Sequence, residues 1–546
     1  MPVSHHSTKR LLLASIIGFI VFVLLQIVIP SLQEANRTGP EQERTLLTKR
    51  QAAERALEFV SREPWRSLMM VSEQEPTVVY KTDRLAAGYM NRERLAASYA
   101  DWDSQAPIDI YQVLLGVTTP DGKDILKIDV HMTSGSVVGY ELAAMPGRPQ
   151  SELPALAEEK ARPIAARELS ALGWDPSKLV LQNVHPSRPD ELRYTVKQGE
   201  IGAARLELVV RMRSDRVVAL HPVWSVPPDY QALDQTQIET AGSVYRFGYR
   251  WMSIMLSMLA LWACIYYRRR IRFSSGTLIA LSILSCAISV LHMWNMMPGL
   301  VVLQFGVPRT ELNLTAALVL QGAIMVTQGL FLYFSLVSGS YLWREEGRTD
   351  LLPTWRDPSF GTVLTGSFRL GTLYAGVLLG IQSVIFLTLE TGFGAWSATD
   401  ASMSPLNLTV PALYPLLAWM AAISEEGVFR WFGTGLLNRW IRNPWAAGVI
   451  PTLVWAFGHV TYPIYPYYSR PVELLIIGFL FLAIMLRHGF WTAMFAHLML
   501  DNVLMSISYL LEGTAAGLGL GVFYLALPVL IVYGIRRLHR YRTRLL

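Results

Sequence analysis

Two adjacent carboxylates and a guanidinium sit in Ala421-Ala-Ile-Ser-Glu-Glu-Gly-Val-Phe-Arg430, inside an apolar helical pattern that begins near Leu406. Ionisable side chains are costly within a membrane span and mark a functional site by default. Their spacing divides the three. Glu426 and Arg430 are four apart, so they share a helix face, with the acid on the favoured N-terminal side. They are expected to neutralise each other and fix the helix. Glu425 is turned roughly a quarter of the way round and is poorly placed to pair with Arg430. Its charge is left for chemistry. Two imidazoles lie downstream: His459 ends Trp455-Ala-Phe-Gly-His459, and His497 opens His497-Leu-Met-Leu-Asp501. His497 and Asp501 again share a helix face. A carboxylate facing an imidazole in a dry pocket can hold and deprotonate a water. A second imidazole can polarise a carbonyl or stabilise an oxyanion. Glu425 and His459 are therefore read as activating water, and His497 with Asp501 as binding the carbonyl oxygen. A second reading uses the same atoms as metal ligands. Glu425, His459 and His497 could hold zinc and leave a coordination position open, although the chain lacks HExxH.

The run EEGVFR, then WAFGH, then HLMLD, each on its own apolar segment, resembles the CAAX-protease and bacteriocin-processing family of intramembrane endopeptidases. That family's pattern is EExxxR, then aromatic-xxx-His, then His-xxx-Asn, with Asp in some members at the last place. The resemblance covers residues 365–533. It implies the same roles for Glu425, His459, His497 and Asp501. The family's Asn falls on Asp501, because Asn502 is on the wrong helix face. An Asp accepts hydrogen bonds but donates only when protonated. The family is often labelled metalloprotease, and a metal-free glutamate mechanism fits these residues equally well. Its bacterial members act on diverse targets, so a prenylated substrate is not assumed. The rival class is a non-catalytic immunity or signalling scaffold that uses the same polar network structurally.

Composition agrees with a membrane setting. Hydrophobic residues make up 52% and charged residues 16% of 546, mean hydropathy is +0.30, and the apolar residues cluster in long runs. The net charge of +6 gathers beside those runs, which reads as an orientation signal. No nucleic-acid motif is present. Cys264 and Cys286 are the only cysteines, and both are read as packing residues.

The expected fold is a polytopic α-helical membrane protein with an inserted α+β domain. Residues 1–30 read as a signal-anchor helix. Residues 31–145 and 146–244 read as two repeats, because 126–140 matches 206–220 as strand, tight turn, strand. Helices at 47–61 and 156–172 open the two units. This arrangement resembles a tandem PepSY domain, which the resemblance associates with peptidase regulation. Asp129 and His131 share a strand face, read as solvated rather than metal-binding. Residues 245–364 read as linking spans and 365–546 as the protease core. Spans are placed at 11–30, 251–267, 278–294, 314–341, 370–389, 406–437, 445–459, 474–486, 491–511 and 518–533, about ten in all.

Cation-rich loops alternate with cation-poor ones. This puts the N-terminus in the cytoplasm of a multi-pass cell-membrane protein and residues 31–244 outside. The partners this implies are the bilayer and a membrane protein or peptide substrate. Glu425 and His459 each lie roughly 25 Å of helix from the turn near Asn443, and so at similar depth, whereas His497 is shallower at about 15 Å. Trp431, Trp440 and Trp455 read as interface or packing residues. Gly427, Gly433 and Gly435 read as close-packing positions.

Overall fold

A computed structural model describes residues 5–32, 46–62, 70–72, 74–119, 122–145, 158–182, 190–213, 216–308 and 314–545. Alternating apolar residues build an antiparallel sheet of nine strands among the described residues. They are β1 (Met70–Val71), β2 (Thr77–Thr82), β3 (Asp109–Thr119), β4 (Gly122–His131), β5 (Val137–Ala144), β6 (Leu179–Leu181), β7 (Glu191–Ile201), β8 (Ala204–Arg213) and β9 (Arg216–Ser225). The order is β1-β3-β4-β5-β9-β8-β7-β6, with β2 also paired to β3. The repeated segments fall on β4–β5 and β8–β9. The first turn contains Gly135 at φ +72°, a backbone that suits glycine. The second turn, Ser214-Asp215, and residues 156–157 lie outside the described residues.

The two units join through β5 and β9, where Tyr140 pairs with Leu220 and Glu141 with Ala219. Tyr140 and Leu220 are equivalent positions of the repeat. The units are therefore related by a local two-fold at that pair, as in a fused isologous dimer. The opening helices, Lys49–Arg62 and Glu158–Ala171, bury Ala52, Ala56, Ala161, Ala165 and Leu169 in one core with Leu126, Ile128, Leu206 and Leu208.

Asp129 and His131 are buried, which corrects the solvated reading. The second sheet face is covered as well: Val79, Leu114 and Ile125 pack on Val302 of the membrane helix Gly276–Phe305 and on Val307 just beyond its end. Asp129 accepts from Gln112 Nε2 at 2.8 Å and pairs with His221 Nδ1 at 2.9 Å, while Arg211 Nη2 reaches Glu141 Oε1 at 2.6 Å. The His221 and Arg211 pairs cross the junction between the repeats. Burial pushes the Asp129 carboxyl up, but His221, Lys81 and Gln112 together hold it below its ordinary value. A carboxylate lowered by folding stabilises above its ordinary pKa and loses that contribution as pH falls. Amides of β4 and β9 are thus expected to lose hydrogen-exchange protection below about pH 4. Asp129→Asn should shrink that acid response, and an unchanged response would contradict the assignment.

Among the described residues, eight helices are long and apolar enough to cross a membrane. The two other expected spans differ. Residues 406–437 do not form one helix. Pro405, Pro411 and Pro415 lack an N–H, so the chain takes 3-10 turns at Pro405–Asn407 and Pro411–Leu416, and helix begins only at Leu417. Residues 445–459 become two short helices, Pro444–Ala447 and Val449–Phe457, so His459 sits in the turn beyond a helix end. The expected boundary at 244 falls inside Pro228–Tyr266, one unbroken apolar helix shared by sheet domain and bundle.

Two ends of the bundle are distinguishable. Cationic loops meet at one: Arg344 donates to Arg270 O, Arg348 to Leu486 O and Arg542 to Trp355 O. The sheet domain docks at the far end of Gly276–Phe305, whose length is roughly 45 Å at about 1.5 Å per residue. There Asn407 mimics a strand, accepting from Tyr80 N and donating to Tyr80 O, both at 2.8 Å.

The N-terminal helix His5–Val23 lies against Phe360–Phe393. A Cβ at Gly380 would fall 2.5 Å from Gly18 Cα, and one at Gly376 would fall 2.3 Å from Ser15 Oγ. Small residues four apart let the two backbones touch. Gly380→Leu is expected to cost about 1–3 kcal/mol of unfolding free energy in detergent. A melt like that of the wild type would contradict this contact.

Candidate active site

The motif helix is continuous but not uniform: Leu417–Glu425 is α, Glu426–Gly433 is π, and Thr434–Ile441 is α again. Short π segments recur at functional sites, where they re-aim side chains. The close-packing glycines behave as expected. A Cβ at Gly427 would meet Leu332 Cδ1 at 2.9 Å, and one at Gly435 would meet Trp343 Nε1 at 3.0 Å.

Arg430 Nη1 stands 3.4 Å from Glu426 Oε1, and neither side chain is exposed. The guanidinium lies 3.8 Å from the centre of the Trp455 ring. Gly478 makes room for it, since a Cβ there would fall 2.7 Å from Arg430 Nη2. No guanidinium nitrogen has a hydrogen-bond partner among the described residues. Charge and the aromatic face, rather than directional bonds, compensate this cation.

His497, on the helix Phe490–Leu511, is the hub. Its Nδ1 donates to Glu426 Oε1 at 2.9 Å. Its Nε2 stands 3.3 Å from Asp501 Oδ2 and 3.8 Å from Glu425 Oε2. An imidazole flanked by carboxylates at both nitrogens satisfies both by donating from both. Phe481 stacks on the ring at 4.6 Å. Counting from the loop placed His497 shallower than Glu425, yet the two meet. The reason is a recessed turn: Gly489 is buried at φ +86°, and a Cβ there would strike Leu351 O at 2.6 Å. Asn502 points elsewhere, donating to Tyr524 O at 2.9 Å.

Glu425 makes no ion pair with Arg430 within 4.0 Å among the described residues, and about a quarter of its side chain (24%) is exposed. It accepts from Trp455 Nε1. His459 Nδ1 donates to Trp455 O at 3.1 Å, which leaves Nε2 as the acceptor of the neutral ring. Within 4.0 Å no ion pair joins His459 to Glu425 among the described residues; Trp455 connects them. The indole centre stands 5.4 Å from the His459 ring and 5.9 Å from the His497 ring.

The three tryptophans separate. Trp440 is exposed as an interface residue would be, and Trp431 packs while donating to Leu336 O at 3.2 Å. Trp455 is neither an anchor nor mere packing, because it binds Glu425 and covers Arg430. Its signal in the sequence was the aromatic of WAFGH. Tyr249, from the helix shared with the sheet domain, packs at Gly458 beside His459 and had no signal.

Among the described residues, no group of three His, Cys, Asp or Glu side chains is placed to hold a metal. His497 turns both nitrogens to carboxylates, so Glu425, His459 and His497 do not fit the zinc set as arranged.

Residues 407–503 match the family model described as Rce1-like, type II CAAX prenyl endopeptidase Rce1-like. The matched stretch contains Glu425, Glu426, Arg430, His459, His497 and Asp501. This similarity supports a CAAX-type protease embedded in a membrane. Comparison with curated proteins and with solved structures yields no match.

Proposed function

We propose that the protein is an intramembrane endopeptidase that hydrolyses a peptide bond of a membrane-associated protein or peptide. One observation carries this reading: burial is graded across the cluster. Glu426 and Arg430 are sealed, His497 keeps only a sliver of surface, and Glu425, His459 and Asp501 are more open. A purely structural network has no need of that second, wettable layer.

In the proposed reaction, His459 Nε2 holds a water and Glu425 takes its proton. The water oxygen adds to the scissile carbonyl carbon. His497 Nε2–H donates to the oxygen as it becomes an oxyanion. The C–N bond then breaks, and Glu425 returns the proton to the departing amine. Asp501, an acceptor when ionised, orients His497. Asp501→Asn is expected to keep cleavage within about tenfold, and Asp501→Leu to lose roughly a hundredfold. Equal rates for both variants would remove Asp501 from the site.

We place the cationic end of the bundle in the cytoplasm and the sheet domain, read as a tandem PepSY-like unit, outside. The gathering of the arginine loops at one end and the sheet at the other supports this. The outer domain then sits where it restricts access. Arg84 donates to Asp234 at 2.7 and 2.6 Å and to Tyr465 Oη at 3.0 Å, on the loop that follows His459.

Substrate capture tests the function. Glu425→Ala protein isolated from membranes should retain peptides or proteins that the wild type releases, identified by mass spectrometry. The same captured set on both would favour the non-catalytic scaffold.

A further inference from the structure

A cavity of about 990 Å³ opens at the cationic end of the bundle. None of Glu425, His459, His497 or Asp501 lines it. Its volume sits at the upper end of ligand pockets, roughly 300–1,000 Å³. The interior is apolar, with Leu281, Trp419, Trp491, Met494, Phe495 and Val532 in its wall. Leu284, also in the wall, is 41% exposed on the bundle surface, so the cavity has a side open toward lipid.

The mouth is strongly basic. Arg272, Arg344, Arg348, Arg356 and Arg542 line it, against one carboxylate, Asp357. That carboxylate is engaged by Thr354, whose backbone N–H and hydroxyl both donate to it. Arg344, Arg348 and Arg542 each place a nitrogen on a backbone carbonyl, and Arg348 Nε also stands 3.5 Å from Asp350 Oδ1. Arg272 and Arg356 have no hydrogen-bond or ion-pair partner among the described residues. Guanidinium forks match phosphate oxygens, and basic pockets between membrane helices suit anionic head groups.

We infer that this cavity binds an anionic phospholipid. Its phosphate lies among Arg272, Arg344, Arg348 and Arg356, and its acyl chains enter between Trp419, Trp491 and Met494. The inference stands apart from the peptidase reading, since it uses none of those residues.

Native mass spectrometry of the full-length protein in detergent tests it. The probes are phosphatidylglycerol, phosphatidylcholine with the same chains, and inorganic phosphate. Phosphatidylglycerol should be retained at least about tenfold more tightly than phosphatidylcholine. The doubly substituted Arg272→Gln/Arg356→Gln protein should bind phosphatidylglycerol roughly 30-fold more weakly, each cation near the surface contributing about fivefold. Both side chains are exposed, so its melting should be unchanged. Equal retention of the two lipids, displacement of phosphatidylglycerol by inorganic phosphate, or wild-type binding by the double variant would each overturn the proposal.

Discussion

Glu425→Gln is expected to abolish peptide-bond hydrolysis while leaving the fold intact. The loss should reach about 10³-fold or more, because the variant has no base to take the proton from water. The fold should survive for two reasons. The side chain is partly exposed, so no sealed charge is disturbed. The amide oxygen of Gln can still accept from Trp455 Nε1, which would otherwise be left without its partner. Cleavage of a membrane-anchored peptide in reconstituted vesicles and thermal unfolding in detergent check the two halves. A variant that unfolds would transfer Glu425 to the structural layer. A folded variant that still cleaves would remove it from catalysis.

Arg430→Leu is expected to produce the larger change in stability. It leaves the Glu426 carboxylate fully buried, with His497 as its remaining charged neighbour. Breaking one side of a buried pair costs about 3–5 kcal/mol, because the surviving charge cannot reach water. Arg430→Lys should recover only part of this. An ammonium is a point charge and cannot lie flat on the Trp455 ring as the guanidinium does. Denaturant or thermal unfolding of the two variants beside the wild type measures both effects. Wild-type stability for Arg430→Leu would mean that the pair contributes nothing to the fold.

Much of this arrangement was legible in the chain. The spacing of four separated Glu426 and Arg430 from Glu425, and the buried pair and the half-open acid follow that division. The matched segments 126–140 and 206–220 foretold two like units. Their junction at Tyr140 and Leu220 did not show, because strand order is set by edges that meet only in space. The Leu406 boundary was misplaced because apolar composition outweighed three prolines that start a helix late. Asp129 and His131 looked solvated because their face alternates as an exposed one would. The partners that bury them, His221 for Asp129 and Asp103 for His131, come from distant parts of the chain. Trp455 was undervalued for a related reason. An indole in an apolar run resembles packing until its N–H and its ring face each acquire a charged neighbour. The depth of His497 depended on a recessed turn at Gly489, which counting residues from a loop cannot reveal.

The most direct test follows heavy oxygen. Membranes containing the wild-type protein or Glu425→Gln are incubated in water enriched in the heavy isotope, and new carboxyl termini of membrane peptides are read by mass spectrometry. Water adding to a scissile carbonyl at Glu425 predicts labelled termini with the wild type and none with the variant. Labelled termini of the same identity and amount from both, or from neither, would contradict it.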